Sequence, residues 1–153
     1  MKAKYINPFL AASMNLFKEH LGISVRSLNP FVRKDPTNLE EVSGIIGLAG
    51  ETTGAVVLSF SRETAMNIVS VFSGKTYTAL GNEVLDGVGE LVNIIAGNAK
   101  KDLLDFRISI SLPGVIVGVA TRIHWPEGIP VITIPFESNL GSLTVNVSLR
   151  DSE

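Results

Sequence analysis

The chain has 153 residues, 45% hydrophobic and 18% charged, a balance that marks a globular protein with one sizeable core and excludes a disordered segment. Its formal net charge of -2, with no basic run longer than Arg33-Lys34 or Lys100-Lys101, argues against a nucleic-acid partner. The absence of cysteine excludes disulfides, thiolate metal sites and cysteine nucleophiles, and suits a reducing cytoplasm. The opening MKAKYINPFL lacks the apolar stretch of a signal peptide, and the apolar runs are too short and too broken by Gly and Pro to cross a membrane. One cytoplasmic domain over residues 1–153, without membrane insertion, is the expectation.

In chain order, YINPFLAASMNLFKEHLG reads as a first helix, capped by Asn7, with Pro8 at the first helical position and Gly22 as its stop. ISVRSLNPFV reads as a strand that ends at Pro30, and RKDPTNLE as a polar loop. VSGIIGLAG and GAVVLSF, split by ETT, form a hairpin signal. SRETAMNIVSVFSG is a short helix, capped by Ser61 and closed by Gly74. A long helix follows with Asn82 as its cap. The remainder, RISISLPGVIVGVATRIHW, PVITIPFES and SLTVNVSLR, supplies three or four strands. Leu143, Val145, Val147 and Leu149 alternate with Thr144, Asn146 and Ser148, which predicts a last strand with one face in water.

Helices do not alternate singly with strands. The expected fold class is α+β, an antiparallel sheet packed by two long helices and a short one. A faint internal echo sets SLNPFV beside SLPGVIV when residue 6 is laid on residue 90, and suggests a duplicated helix–strand–hairpin unit.

The long helix carries the unusual feature. At about 100° per residue, Val84, Val88, Leu91, Val92, Ile95, Ala99 and Leu103 share a sector of roughly 120° that faces the core. Asp86, Glu90, Asn93, Gly97 and Lys100 fall opposite, within about 80°. Glu90 and Asn93 are three apart and emerge side by side. A mid-helix glycine costs on the order of 1 kcal/mol relative to alanine, which is tolerable where something must approach closely. Other chemistry finds little support. His20 and His124 have no metal-spaced partner, no Gly-x-Ser-x-Gly run is present, and the glycines at 44, 47, 50 and 54 do not lead into a helix as a phosphate loop would.

The run Asp86-x-x-x-Glu90-x-x-Asn93-x-x-x-Gly97-Asn98-Ala99 resembles the signature of the CheC/CheX/FliY chemotaxis phosphatases, and the order of elements agrees along the whole chain. Members of the CheC type carry the Glu-x-x-Asn pair twice; a single pair, with Ile6 and Phe9 in the corresponding places of the first helix, looks like CheX. The resemblance implies a phosphatase for the phosphoaspartate of a CheY-type receiver protein. It implies Asn93 as the group that positions the attacking water and Glu90 as the partner of the receiver's lysine, with Asp86 and Gly97 as further contacts. It also implies a homodimer, with an interface in the strand-rich stretch 111–138. No cofactor of the chain's own is implied, only Mg2+ in the receiver. A non-catalytic adaptor or flagellar-switch module of the same fold is the alternative reading.

Overall fold

The structure is a computed structural model that describes residues 3–104, 106–118 and 123–150. Three helices, α1 (Ala3–Met14), α2 (Arg62–Ser73) and α3 (Asn82–Lys101), share one core with one face of an eight-stranded sheet. The strands are β1 (Val25–Ser27), β2 (Phe31–Arg33), β3 (Val42–Gly50), β4 (Gly54–Phe60), β5 (Ile108–Ile110), β6 (Gly114–Val117), β7 (Val131–Ser138) and β8 (Gly141–Leu149). All pairings are antiparallel. The order is β1-β7-β8-β4-β3-β5, with β2 continuing β1 along β7 and β6 continuing β5 along β3.

That order is symmetric about the β8–β4 pair, and it bears out the duplicated unit. Each half consists of a helix, a strand broken by proline, and a hairpin, and each broken strand pairs with the other half's hairpin. The breaks match in detail. From Ser27↔Phe136 to Phe31↔Thr133 the first strand advances four residues while β7 advances three. From Ile110↔Leu48 to Gly114↔Ile45 the count is again four against three. Each break is a bulge with one extra residue. Pro30 therefore interrupts the predicted strand without ending it.

Both bulges are tied down in the same way. The Leu28 amide donates to the Pro135 carbonyl at 2.8 Å, and the Ser111 amide to the Gly47 carbonyl at 2.9 Å. A bulge also leaves an N–H on the facing strand to be satisfied. Pro135 has none to offer, and the Gly47 N–H donates to the Ser111 hydroxyl at 2.8 Å.

The helix signals held in part. Ser61 accepts from the Thr64 amide, and Gly74, at φ +74°, closes α2 as predicted. The first helix starts earlier than Asn7: it runs from Ala3, with Pro8 inside it, and continues as a π-helical turn over Asn15–His20 before Gly22. Pro8 gives no N–H to the ladder. Burial of Tyr5 and Ile6, with the Tyr5 ring 5.1 Å from that of Phe106, draws the extra turn into helix regardless. In α3 the cap is Gly81, whose carbonyl accepts from Val84 and Leu85; Asn82 is the first helical residue.

The last strand departs from its prediction. β8 lies inside the sheet, and Asn146 and Ser148 are both 0% exposed. On the face away from the helices Asn146 sits in a buried hydrogen-bond network, beside a Ser148 hydroxyl that has no hydrogen-bond partner among the described residues. Thr133 donates to Asn146 Oδ1 at 2.6 Å, Asn146 Nδ2 donates to the Val57 carbonyl at 3.2 Å and to Thr144 at 2.9 Å, and Arg33 Nε donates to Thr133 at 2.7 Å. Replacing Asn146 by alanine strands the Thr133 hydroxyl in a buried place. The expected loss is about 1–3 kcal/mol, read from the midpoint of urea unfolding.

Candidate functional site

α3 is held by its apolar side and presents its polar side outward. Val84, Val88, Leu91, Val92, Ile95 and Ala99 are all 0% exposed, and Leu103, just past the helix, is buried with them. Each of the Val, Leu and Ile side chains contributes on the order of 1.5–3 kcal/mol, and the Ala99 methyl about 0.8 kcal/mol. The helix lies close on β3 because Gly44 has no side chain: a Cβ there would stand 3.0 Å from Val88 Cγ1, 3.1 Å from Val92 Cγ1 and 3.2 Å from the Val88 carbonyl oxygen.

The predicted stripe stands in one line on the outer side. Asp86, Glu90, Asn93 and Lys100 are exposed, and Gly97 and Asn98 are half-buried. Among the described residues, the side chains of Asp86, Glu90 and Asn93 make no hydrogen bond or ion pair, so their polar atoms are available to a partner. A Cβ built on Gly97 meets nothing within 4 Å. Nothing inside the chain requires glycine there. Gly87, one residue off the stripe, is different: its Cβ would lie 2.6 Å from Val69 Cγ1, so that glycine lets α2 seat against α3.

Two features that the sequence reading passed over flank the stripe. On the α2 side lies a groove of about 320 Å³, lined by Phe72, Tyr77, Glu83, Asp86 and Glu90 among others. Tyr77 donates to Glu83 at 3.0 Å, and Lys75 Nζ stands 3.7 Å from the same carboxylate. On the opposite side the second bulge touches the helix: a Cβ on Gly89 would be 3.5 Å from Pro113 Cβ and 3.6 Å from Val115. KTYTALG reads as leading into the long helix, and RISISLPGVIVGVATRIHW as two strand-like runs around Pro113-Gly114. The Tyr77 side chain and the repeated Ser-Leu were the available signals for both.

The first helix has no such stripe. Ile6 and Phe9 are 7% and 0% exposed, so they do not occupy the places of Glu90 and Asn93. The two helices agree in burial when residue 7 is laid on residue 90, which also lays Pro30 on Pro113. Asn7 and Leu10 then stand where Glu90 and Asn93 do. The echo is one residue out of the predicted register, because inward-facing positions have to match inward-facing positions. His20 and His124 are both exposed, and among the described residues no group of three or more His, Asp or Glu could hold a metal ion.

Comparison with known proteins places this helix and sheet in a family. The family model for chemotaxis phosphatase CheX matches residues 42–137, from β3 through α3 to β7, and the chain belongs to that family. The CheY-P phosphatase CheX of Thermotoga maritima is 29% identical over 121 residues, which cover 77% of this chain and 78% of that protein. The crystal structure of chemotaxis protein CheX from Vibrio vulnificus superposes with a TM-score of 0.85 at 30% identity, covering 97% of this chain and 100% of that one. A crystal structure of the CheX–CheY–BeF3–Mg2+ complex from Borrelia burgdorferi gives a TM-score of 0.78 at 28% identity, over 96% and 98% of the two chains.

Two of the three glycines of α3, Gly97 and Gly87, predict opposite outcomes for the same change. Gly97→Ala should raise stability by about 0.5–1 kcal/mol, since the helix gains a better former and nothing is displaced. Gly87→Ala should lower it by up to about 2 kcal/mol, because overpacking against the stiff Val69 outweighs the same gain. Urea unfolding of the two variants beside the wild type checks both signs.

Proposed function

We propose that the protein dephosphorylates a CheY-type receiver protein, with the outer side of α3 inserted into the receiver's active site. The observation that carries this reading is an exposed Glu90-x-x-Asn93 pair whose side chains have no partner within the described chain, in a member of a chemotaxis phosphatase family. The named activity of the Thermotoga relative and the CheY partner in the Borrelia complex support it.

The chemistry asks little of the chain beyond position. The phosphoaspartate of a receiver is an acyl phosphate, an activated group. Water attacks phosphorus, the bond from phosphorus to the aspartate oxygen breaks, the carboxylate leaves, and inorganic phosphate is released with the water's protons shared between phosphate and solvent. Catalysis of such a step rests on alignment and electrostatics. The receiver's own Mg2+ and lysine neutralise the phosphoryl oxygens. Asn93 supplies an amide that accepts a hydrogen bond from the water and donates one to the phosphoryl group. It carries no charge to repel the phosphate. Glu90, next to it on the same side of the helix, pairs with the receiver's lysine and sets the register of the two proteins. It orients, and takes no proton from the water. Asp86 adds a further contact one turn earlier, and Gly97 leaves room for the receiver's backbone one turn later.

The chain is proposed to act as a single domain over residues 1–153, in the cytoplasm where such receivers work, and as a homodimer. The exposed Val117 on the outer strand β6 supports an interface within 111–138. A mass near twice 16.4 kDa in size-exclusion chromatography with light scattering is the expected result; a monomer at micromolar concentration would remove the dimer from the proposal.

The decisive experiment charges a receiver with a small phosphodonor in Mg2+ and follows phosphate loss. Wild type should speed the loss at least tenfold, about 1.4 kcal/mol off the barrier. Asn93→Ala should abolish the acceleration with the fold intact, and Gly97→Ala should slow it despite its gain in stability. An unchanged phosphate lifetime with every receiver tried would overturn the phosphatase reading.

A further inference from the structure

The most exposed large apolar side chain among the described residues is Leu112, at 91%. It is the middle residue of the bulge between β5 and β6, and the fold contains its own control for it. In the matching bulge between β1 and β2 the middle residue is Asn29, followed by Pro30 as Leu112 is followed by Pro113. Both bulges make the same backbone bond to the facing strand. The bulge backbone therefore does not need leucine, and at 91% exposure the side chain adds almost nothing to the core. At this middle position a leucine occurs only in the half that carries the polar stripe; Leu28 of the other bulge stands one place earlier, where Ser111 does, and is only 37% exposed.

Its place bears on that stripe. The Pro113 ring stands against α3 at Gly89, next to Glu90 in sequence and one turn before Asn93. The bulge cannot drift, because the Ser111 amide and hydroxyl are both bonded to Gly47 on β3. Pro113 also restricts the backbone of the residue before it to extended conformations. Leu112 is thus an apolar knob fixed to a rigid ledge beside the candidate site. Any protein seated on Asn93 covers about 800 Å² of this surface if its interface is of ordinary size, and the ledge lies at the near edge of that area.

We infer that Leu112 is a docking contact for the receiver, buried against an apolar patch beside the receiver's phosphorylated aspartate, so that it sets affinity for the substrate protein and leaves the chemistry to α3. This rests on the phosphatase reading above. Leu112 stands at the start of the stretch 111–138 in which the homodimer interface is proposed, but that proposal rests on Val117 at the far end of β6. The ledge at Leu112 is continuous with the stripe through the Pro113–Gly89 contact, so its occupant is the receiver.

The test is steady-state dephosphorylation of the phosphorylated receiver over a range of receiver concentrations. Leu112→Asn, which copies the other half of the molecule, should raise KM about tenfold, the affinity that burial of a leucine side chain can supply. Its kcat and its thermal midpoint should stay near wild type, and Leu112→Met should restore most of the affinity. Asn93→Ala, in contrast, should lose kcat. An unchanged KM in Leu112→Asn, or a KM that rises only together with a change of oligomeric state, overturns the inference while the phosphatase reading stands. Failure of the wild type itself to accelerate phosphate loss removes both, and the wild-type control separates the two results.

Discussion

The close seating of α3 on β3 is the constraint on which the rest of the structure depends. Gly44 leaves only enough room for the Val88 and Val92 side chains, and this fixes both the height and the rotation of the helix. With Val84, Val88, Leu91, Val92, Ile95 and Ala99 turned into the core, Asp86, Glu90 and Asn93 have nowhere to point except outward. Gly87 then lets α2 close one flank, and Pro113 closes the other against Gly89. The result is a rigid, narrow ridge of polar side chains. A ridge of this kind suits a protein that must reach into another protein's pocket, and ill suits one that must enclose a small substrate.

Much of this was legible in the sequence, wherever the signal was local and physical. Ser61 and Gly74 mark α2 through backbone chemistry that does not depend on the rest of the fold. The apolar periodicity of α3 is long enough to set its rotation, and so to place Asp86, Glu90, Asn93 and Gly97 on one side. Membership of a chemotaxis phosphatase family followed from that stripe together with the order of elements.

What the sequence did not disclose depended on contacts between distant parts. Alternation along β8 says that Asn146 and Ser148 share a face, but it cannot say whether that face meets water or a buried network with Thr133 and Arg33. Pro8 is a good first helical residue in isolation; the burial of Tyr5 and Ile6, partly against Phe106 far along the chain, carries the helix past it. Pro30 looks like a strand end because a bulge becomes visible only with its partner strand in place. The same blindness shifted the internal echo by one residue.

The crossed pairing of the two halves has a consequence for how the chain is made. β1 and β2 emerge before the other strands during synthesis, yet among the described residues their sheet partner is β7, about a hundred residues later. The hairpin of β3 and β4 closes locally, but its β4 flank stays open until β8 arrives. A nascent chain therefore holds two unpaired strands and an open hairpin flank until β7 and β8 have left the ribosome. Contacts of this range make for slow folding and for a period in which strand edges are open to wrong partners. Interlocking the halves ties the ridge to the whole sheet, at the cost of strand edges that stay open for most of synthesis.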